Sequence, residues 1–242
     1  MSLSKNEIKF LRSLQQKKYR DEAGLFVVEG PKLIEELLRQ SRFEVETIYA
    51  LNSWTEGNPD AGAIELTEQD LERISGFNKS NEVFATVKYS SEATIPTDGS
   101  PVLLLDGIND PGNLGTILRT ADWFGIRSVI ASEDSVELYN PKVVQSTMGA
   151  VFRVNYSRKN LVETCKQLKT NDYRVLLAEM DGTDSSKVDY SGKIALVMGS
   201  ESHGIRNLDG ESITISSFGE SESLNVGIAC GILLYQYRSK IG

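Results

Sequence analysis

Residues 101–132, PVLLLDGINDPGNLGTILRTADWFGIRSVIAS, contain the pattern that predicts the fold of this chain. The apolar run PVLLLD is followed by a turn rich in Asp, Pro and Gly, by a helical pattern over 114–124, and by a second apolar run, SVIAS. Neither run alternates with polar residues, which is typical of strands buried on both faces of a sheet. Strand, helix and strand in this order predict a parallel sheet covered by helices.

Further runs of the same kind extend this pattern toward the C-terminus. They are YRVLLAEM at 173–180, KIALVMGS at 193–200 and SITIS at 212–216. Helical patterns precede, separate or follow them at about 140–149, 160–170 and 224–238. We therefore predict a mostly parallel α/β domain over residues 101–242.

The N-terminal part reads as a separate, smaller α/β domain. Its apolar runs are LFVVEG, ETIYAL, AIEL and VFATVKY, and its helical patterns cover 4–18, 30–40 and 67–76. Pro31 suits a first helical turn. A polar stretch with two prolines and a glycine follows, so we predict a domain over 1–90 and a linker over 91–100.

Composition excludes several classes of protein. The chain of 242 residues is 40% hydrophobic, which is enough for ordinary cores without disulfide bonds. The longest charge-free run near the C-terminus is about 12 residues, against roughly 20 for a bilayer crossing, and MSLSKNEIKF lacks the apolar core of a signal peptide. We expect a cytoplasmic protein with no membrane span. Cys165 and Cys230 are in no CxxC spacing, so we expect reduced structural thiols and no metal site.

The net charge of −8 argues mildly against nucleic-acid binding, because phosphate contacts require a basic surface, but the first 20 residues are basic. Only Glu7 is acidic there. The cations are Lys5, Lys9, Arg12, Lys17, Lys18 and Arg20. Such a run is either a solvated helix face or a surface that contacts RNA phosphates, and taken alone it does not decide.

Common catalytic signatures are absent from the sequence. There is no GxGxxG after the first strand of the larger domain, no GxxxxGK[ST] and no CxxC pair, which argues against the usual phosphate cradles and zinc sites. The only histidine, His203, has no GxSxG partner, so a serine hydrolase is also disfavoured.

Three polar clusters instead follow predicted strands. In the first, Asn113 is placed to cap a helix that carries Arg119; the plainer interpretation is a helix cap and a surface cation paired with Asp122. The second follows KIALVM with Gly199, Ser200 and Glu201, and the third places Ser223, Leu224 and Asn225 before the last helix. Loops at the carboxyl ends of parallel strands converge on one crevice. Without a thiol nucleophile or a metal set, this inventory suits positioning and polarisation, as in methyl transfer from a sulfonium cofactor.

In this order the clusters resemble the three motifs of the SpoU (TrmH-type) branch of the SPOUT RNA methyltransferases. The first is NLGTILRTADWFG, the second LVMGSESHGI and the third ITISSFGESESLNVGIACGILLYQYR. One departure is Ser202, which stands where the second motif usually has glycine. The first domain, with KKYRDEAGLFVVEGPKLIEELL, resembles the L30e-like substrate-binding extension of many members.

The resemblance implies an α/β fold with a C-terminal trefoil knot that binds S-adenosylmethionine, and a homodimer formed through the last helix. It implies 2′-O-ribose methylation of RNA, with ribosomal RNA favoured. A tRNA ribose methyltransferase, a catalytically silent RNA-binding protein of this fold and a small-molecule enzyme are the alternatives. The silent protein should lack Arg119 or Asn113, and a small-molecule enzyme has no use for the basic first helix.

The resemblance also assigns roles to residues. It makes Arg119 a general base. Because a guanidinium stays protonated in proteins, we instead expect a fixed cation that binds the target phosphate and stabilises the oxyanion, with base catalysis as the rival. Asn113 holds the loop and ribose, Glu201 orients Arg119 or Asn113, and Ser223 with Asn225 lines the site. The residues expected at the cofactor are Ala178, Glu179, Met198, Gly199, Ile215, Leu224 and Asn225.

The last helix contains two glycines, Gly227 and Gly231, within a run that carries no charge from Val226 to Tyr237. Each interior glycine costs a helix about 1 kcal/mol relative to alanine. We therefore expect a close neighbour at this helix, either a knotted crossing or a dimer partner, rather than an ordinary buried helix.

Overall fold

The structure, a computed structural model, describes residues 3–77, 81–91 and 94–241. The helices are α1 Lys5–Ser13, α2 Lys17–Ala23, α3 Pro31–Leu38, α4 Asn52–Gly57, α5 Glu68–Ile74, α6 Pro111–Trp123, α7 Pro141–Ser146, α8 Leu161–Thr170 and α9 Val226–Ile241. The strands are β1 Leu25–Glu29, β2 Val45–Ala50, β3 Ile64–Glu65, β4 Val83–Lys88, β5 Val102–Asp106, β6 Ser128–Ala131, β7 Asn155–Arg158, β8 Tyr173–Asp184, β9 Lys193–Gly199 and β10 Glu211–Thr214.

The chain divides into two compact units. The first unit is Met1–Ser91 with Leu138–Phe152, and the second is Glu92–Glu137 with Arg153–Gly242. The predicted linker at 91–100 is free of helix and strand at 94–100, and Glu92 and Ala93 lie outside the described residues. A stretch that follows β6 in sequence thus belongs to the first unit, which the pattern of apolar runs does not reveal.

The first unit is built on a four-stranded sheet in the order β1-β4-β2-β3. The central β4 is antiparallel to both β1 and β2, and β3 pairs parallel to β2. The fold buries the apolar side of α1, through Ile8 and Leu11, together with residues of β1 and α5. All four strands were predicted from the sequence; α4 was not.

The predicted single helix over 4–18 is wrong, because the chain breaks into α1 and α2 between Ser13 and Lys17. The guanidinium of Arg20 is buried and donates a hydrogen bond to the carbonyl of Leu14 at 2.8 Å. In a continuous helix this carbonyl would accept from residue 18. Arg20 therefore takes over the hydrogen bond that would otherwise continue the helix.

The second unit contains a six-stranded sheet in the order β10-β8-β9-β5-β6-β7. Every neighbouring pair is parallel, which confirms the predicted parallel sheet. Strands β5, β6 and β9 have almost every residue buried, as their unbroken apolar runs predict. The edge strand β7, with sequence NYSR, was missed because its polar residues give it no such run.

Helix α6 begins three residues earlier than predicted, at Pro111. Its cap is Asp110, whose carboxylate accepts a hydrogen bond from the Asn113 backbone N–H at 2.8 Å. The prediction that Asn113 caps this helix is therefore wrong. Because Asp110 caps the helix, the amide side chain of Asn113 is left for other partners.

The two glycines of α9 face α6 within the same chain. A Cβ at Gly227 would lie 3.0 Å from the Thr116 methyl, and one at Gly231 would lie 3.7 Å from the Thr120 methyl. Gly227 thus permits a close approach of the two helices, whereas Gly231 has room for a methyl group. The expected close neighbour of this helix is α6 of the same chain.

Residues 138–152 contribute an aromatic contact to the first unit. The ring of Tyr139 stacks on both Phe26 and Tyr89, with 4.4 Å between ring centroids in each pair, and these two rings lie 6.3 Å from each other. Its hydroxyl also lies 3.0 Å from the hydroxyl of Ser90. Phe152 packs edge-on against Phe43. This segment therefore completes an aromatic core that begins on β1.

Both cysteines are free and buried, as expected of structural thiols. Burial raises the pKa of Cys165 to about 11 and that of Cys230 to about 12, because the thiolate would be desolvated. Among the described residues, no helix combines the length and apolar character that crossing a membrane requires. Within the same ranges, no three His, Cys, Asp or Glu side chains are grouped as metal ligands would be.

Candidate active site

The three predicted polar clusters leave the second sheet at the same edge. Asp106 at the end of β5 is paired in register with Gly199 at the end of β9, so the chain segments that follow these strands start side by side. β10 runs parallel to β8, which in turn pairs with β9, and the chain continues from β10 toward α9. Parallel strands thus deliver one segment of each motif to one place.

Three side chains from these segments form a hydrogen-bonded cluster. Asn225 donates its amide N–H groups to Asn113 Oδ1 at 2.9 Å and to Glu201 Oε1 at 2.8 Å. Asn113 in turn donates to both carboxylate oxygens of Glu201 at 3.4 Å, near the upper limit for a hydrogen bond. We call Asn113, Glu201 and Asn225 the amide–carboxylate cluster.

The orientation of Asn225 is fixed by α9. Its Oδ1 accepts from the backbone N–H groups of Gly227 at 3.0 Å and Ile228 at 3.4 Å, as a helix-capping side chain does. Only the amide nitrogen then remains for Asn113 and Glu201. Because Glu201 Oε1 also accepts from the Val226 N–H at 3.3 Å, its carboxylate lies at the positive end of the same helix.

A cavity of about 680 Å³ lies beside this cluster, within the range of small-molecule and cofactor sites. Six of the seven residues predicted to bind the cofactor line it; Asn225 does not. Those six are Ala178, Glu179, Met198, Gly199, Ile215 and Leu224. Glu201 and Ser223 also line the cavity, so it adjoins the amide–carboxylate cluster through Glu201.

Part of the cavity wall is main chain, at a place where two segments lie too close together for a side chain. A Cβ at Gly199 would lie 2.3 Å from the carbonyl carbon of Gly204, so only glycine fits where these two segments touch. Apolar side chains such as Met198, Leu224 and Leu233 form other parts of the wall. An apolar slot edged by main-chain donors and acceptors suits a purine ring, so the residues present fit the nucleoside part of S-adenosylmethionine.

One carboxylate at the cavity is held in place by an irregularity of β8. The pairing with β10 jumps from Leu177 opposite Ser212 to Thr183 opposite Ile213, so the residues between them leave the ladder. Glu179 lies in this excursion, and the Ser212 hydroxyl donates a hydrogen bond to its carboxylate. A carboxylate oriented in this way is suited to accept hydrogen bonds from sugar hydroxyls.

Arg119 does not join the amide–carboxylate cluster. Its side chain is exposed on α6, does not line the cavity, and forms no hydrogen bond or ion pair within the part of the chain that the structure describes. The alternative pairing of Arg119 with Asp122 is wrong, because Asp122 pairs with Arg153 at 2.8 Å. Glu201 accepts hydrogen bonds from Asn113 and Asn225, and no hydrogen bond or ion pair joins it to Arg119.

Several cavity residues were missed by sequence reasoning. Met180, His203, Ser217 and Phe218 all line the cavity, and the Phe218 side chain is fully exposed. His203 Nδ1 lies 2.7 Å from the hydroxyl of Ser202. His203, Ser217 and Phe218 lie within the quoted motif segments, and Met180 directly follows the predicted cofactor residue Glu179.

The basic N-terminal residues fall into two groups. Lys5, Lys9 and Arg12 are exposed on one side of α1 and form no ion pair with any described residue. Lys17 and Lys18 are exposed but pair with Asp21 and Glu22. Arg20 is 1% exposed, so the prediction that it contacts RNA is corrected: a side chain buried to that extent, bonded to Leu14, is not available to a phosphate.

Comparison with known proteins identifies the class. Residues 100–235 match the model of the SpoU rRNA methylase family, and residues 5–85 match that of the MRM3-like substrate binding domain. The first match covers more than half of the chain, so this chain belongs to the SpoU rRNA methylase family.

Individual relatives agree with this assignment. The 23S rRNA (guanosine(2553)-2′-O)-methyltransferase RlmP of Bacillus subtilis is 28% identical over 98% of both chains. The 23S rRNA (guanosine-2′-O-)-methyltransferase RlmB of Ralstonia nicotianae is 35% identical over 73% of this chain and 78% of its own.

Solved structures agree as well. A TrmH-family structure from Porphyromonas gingivalis is 38% identical with a TM-score of 0.88, over 98% of this chain and 99% of its own. An AdoMet-bound rRNA methyltransferase from Sinorhizobium meliloti is 28% identical with a TM-score of 0.86, over 100% and 98%. The predicted family and fold class are confirmed, while the trefoil threading of the chain stays a prediction.

Proposed function

We propose that this protein transfers a methyl group from S-adenosylmethionine to a ribose 2′-hydroxyl of RNA, with ribosomal RNA as the substrate. The amide–carboxylate cluster carries the proposal, because it joins the three motifs at the wall of a cavity large enough for the cofactor. Relatives that align over nearly the whole chain or most of it are named as 23S rRNA 2′-O-methyltransferases, which supports the same reaction.

The residues around the cavity are proposed to hold the cofactor, which supplies an activated methyl group when bound. Met198, Gly199, Ile215 and Leu224 present apolar surface and backbone to the adenine. Glu179, oriented by Ser212, accepts hydrogen bonds from the ribose hydroxyls of the cofactor.

Arg119 is proposed to act on the RNA. A ribose hydroxyl is a poor nucleophile until its developing negative charge is stabilised, and a guanidinium stays protonated while it binds a phosphate with two parallel hydrogen bonds. The exposed Arg119 has both its charge and its donors available. We assign it to bind the target phosphate and to stabilise the charge that develops at O2′, while Asn113 and Ser223 position the ribose.

The exposed cations of α1 are proposed to contact RNA phosphates. Lys5, Lys9 and Arg12 form no ion pair with any described residue in a protein whose net charge is −8, so they form a local exception to an acidic surface. An enzyme that modifies ribosomal RNA works where ribosomes are made, which supports a cytoplasmic location. A catalytically silent protein of this fold is disfavoured because both Arg119 and Asn113 are retained.

Homodimerisation through α9 belongs to the same proposal. The side chains of Trp123, Ile228 and Tyr235 are 84%, 56% and 63% exposed, although all three are large and apolar or aromatic. Trp123 is the last residue of α6. The ring of Phe124, the next residue, lies 6.5 Å from the ring of Tyr235. Exposed aromatic residues grouped in this way are typical of subunit interfaces.

The dimer is tested by light scattering at micromolar concentration. We expect twice the mass of one chain for the wild type and a single-chain mass for Ile228→Glu, which leaves α6 untouched. Gly231→Leu should break the dimer or the fold, because the space beside Thr120 admits only a methyl group. A wild-type monomer would contradict this part of the proposal.

The enzyme proposal is tested in two stages. Calorimetry should show saturable binding of S-adenosylmethionine at or below millimolar concentration. Ribosomal RNA from cells that lack the protein should then accept labelled methyl groups at one ribose, mapped by resistance of the adjacent bond to alkaline hydrolysis. Labelling of tRNA instead would support the alternative substrate. Binding of RNA without any methyl transfer would overturn the enzyme assignment.

A further inference from the structure

Arg206 anchors the segment that follows β9. Its backbone N–H donates to Asp106 Oδ2 at 2.7 Å, its Nε donates to Asp106 Oδ1 at 3.0 Å, and its Nη2 contacts the same oxygen. The guanidinium also donates to both carboxylate oxygens of Asp134, at 2.7 and 3.0 Å. One side chain therefore bridges two carboxylates that are far apart in sequence.

The two carboxylates belong to different strand ends. Asp106 is the last residue of β5 and its side chain is 5% exposed, whereas Asp134 lies in the turn after β6 and is about half exposed. Ser132 donates to Asp134 at 2.6 Å and accepts from the Gly107 N–H at 2.8 Å. Arg206 thus ties the segment after β9 to the ends of β5 and β6 at once.

The geometry next to Arg206 leaves little freedom. Gly107 has a positive φ of 70°, and a Cβ there would lie 3.2 Å from Nη2 of Arg206. The hydrogen bonds from Arg206 and Ser132 hold the pKa of Asp134 well below its usual range, so the carboxylate is charged at any working pH. The anchor is a permanent ion pair rather than a switch.

We call residues 200–206 the Arg206 loop; Glu201 lies near its start and Arg206 at its end. Gly204 donates its N–H to the Ser200 carbonyl at 2.9 Å, which folds the loop back on itself. Glu201 lies inside this turn, two residues after the end of β9, and its contact with Asn113 is 3.4 Å long. A shift of about half an ångström in either partner would take this contact beyond hydrogen-bonding distance.

We infer that Arg206 is a positioning residue for the methyl transfer: by clamping the Arg206 loop to Asp106 and Asp134, it sets the distance at which Glu201 meets Asn113 and Asn225. This inference rests on the proposed function. Arg206 does not line the cavity, and its hydrogen bonds go to Asp106 and Asp134 rather than to the cluster, so its effect passes through the loop. Asp106 continues into the segment that carries Asn113, which is why one anchor sets both sides of the contact.

The experiment compares Arg206→Ala with Arg174→Ala. Arg174 is a matched control, because it also forms a bidentate pair with a carboxylate in the second unit, at 2.9 and 2.6 Å to Glu211, and it does not line the cavity. Below the melting temperature of every variant, the single-turnover rate should fall about 100-fold for Arg206→Ala, as expected when reacting groups are misplaced by about an ångström. It should stay within about threefold of wild type for Arg174→Ala, since an exposed pair contributes little.

Two further readouts separate positioning from stability. Low concentrations of guanidinium ion should restore part of the rate of Arg206→Ala but not alter Arg174→Ala, because only the first variant has a guanidinium-shaped gap between two carboxylates. Arg206→Lys should be intermediate, since one ammonium cannot span both partners. Equal rate losses in the two alanine variants, or no rescue, would overturn the inference.

Hydrogen exchange makes the inference independent of catalysis. Amides of the Arg206 loop should exchange faster in Arg206→Ala than in wild type and in Arg174→Ala, with the cofactor absent. Unchanged exchange in this loop would overturn the positioning role even if activity fell. A wild type that transfers no methyl group would instead overturn the proposed function, while the exchange result would still decide whether Arg206 orders the loop.

Discussion

The arginine of the Arg206 loop is ion-paired, whereas the arginine on the outer face of α6, Arg119, is not paired with any described residue. Arg206 is bound by two carboxylates, and the pKa of its guanidinium is raised further by them. Arg119 is exposed and bonds to nothing among the described residues. The same contrast recurs in the first unit, where Arg20 is buried while Lys5, Lys9 and Arg12 are unpaired. The paired cations hold segments of the chain together, whereas the exposed ones are those proposed above to contact RNA.

The largest effect is expected at Arg119. If Arg119 is a fixed cation, Arg119→Lys keeps the positive charge but loses the fork geometry of the guanidinium. Activity should then fall by roughly 10²–10³, as on removal of one oxyanion donor. The activity of Arg119→Ala should fall at least as far. The measurement is single-turnover methyl transfer from about pH 6 to 10, where a fixed cation predicts no plateau assignable to Arg119.

Arg127→Ala provides the control for that measurement, since Arg127 is another exposed arginine of the second unit and has no assigned role. A lysine variant near wild type with a shifted pH midpoint would show that residue 119 acts as a base. Full activity of Arg119→Ala would remove it from the mechanism, and the contrast between the two arginines would lose its functional meaning.

Asn113→Asp should have the next largest effect. It places a second carboxylate at the 3.4 Å contact with Glu201, where two like charges repel and raise the pKa of the pair. Activity should fall about 10- to 100-fold at pH 8 and recover in part toward pH 5, because one shared proton restores a donor. The rate of the Asn113→Asp variant should thus rise as the pH is lowered from about 8 to about 5. A loss of equal size at every pH would show that charge repulsion is not the cause.

The cations of α1 should affect RNA affinity but not the cofactor. Replacing Lys5, Lys9 and Arg12 together by glutamine should lower the logarithmic salt dependence of RNA binding by roughly 2 to 3, at 0.7 to 0.9 for each lost phosphate contact. The double variant Lys17→Gln, Lys18→Gln tests the paired cations and should change the salt dependence of RNA binding less. Equal salt-dependence slopes for wild type and the triple variant would show that these residues of α1 form only a solvated face.

The smallest effect concerns the stability contributed by Asp134. Its pKa is depressed in the folded state, so its pairing with Arg206 stabilises the protein fully above the unfolded value of about 3.9 and is lost as pH falls through the lower folded value. Asp134→Asn should therefore lower the free energy of unfolding by less than about 1 kcal/mol at pH 7, as for exposed pairs. Urea denaturation at pH 7 and at pH values below 4 should show the difference shrinking with acid; a constant difference would contradict an ionic origin.

The sequence predicted which polar side chains converge better than it predicted the ion pairs that anchor their segments. Asn113, Glu201 and Asn225 were found because each follows a strand of a parallel sheet, and such positions converge by geometry. Arg206 was missed because its partner Asp106 lies 100 residues away, and no local pattern reports that pairing. Arg20 was misassigned for a related reason: within a basic run, only tertiary contacts distinguish a buried guanidinium from an exposed one.

Residues 138–152 make the first unit discontinuous, so the chain passes between the two units three times. A fragment ending at residue 91 would lack Tyr139, the ring that stacks on both Phe26 and Tyr89. Such aromatic pairs contribute about 0.5–1.5 kcal/mol each beyond the area they bury. The N-terminal domain is therefore not a portable module: exchanging it between relatives requires transplanting a second, distant stretch of sequence, and that stretch lies inside the region that defines the methylase family.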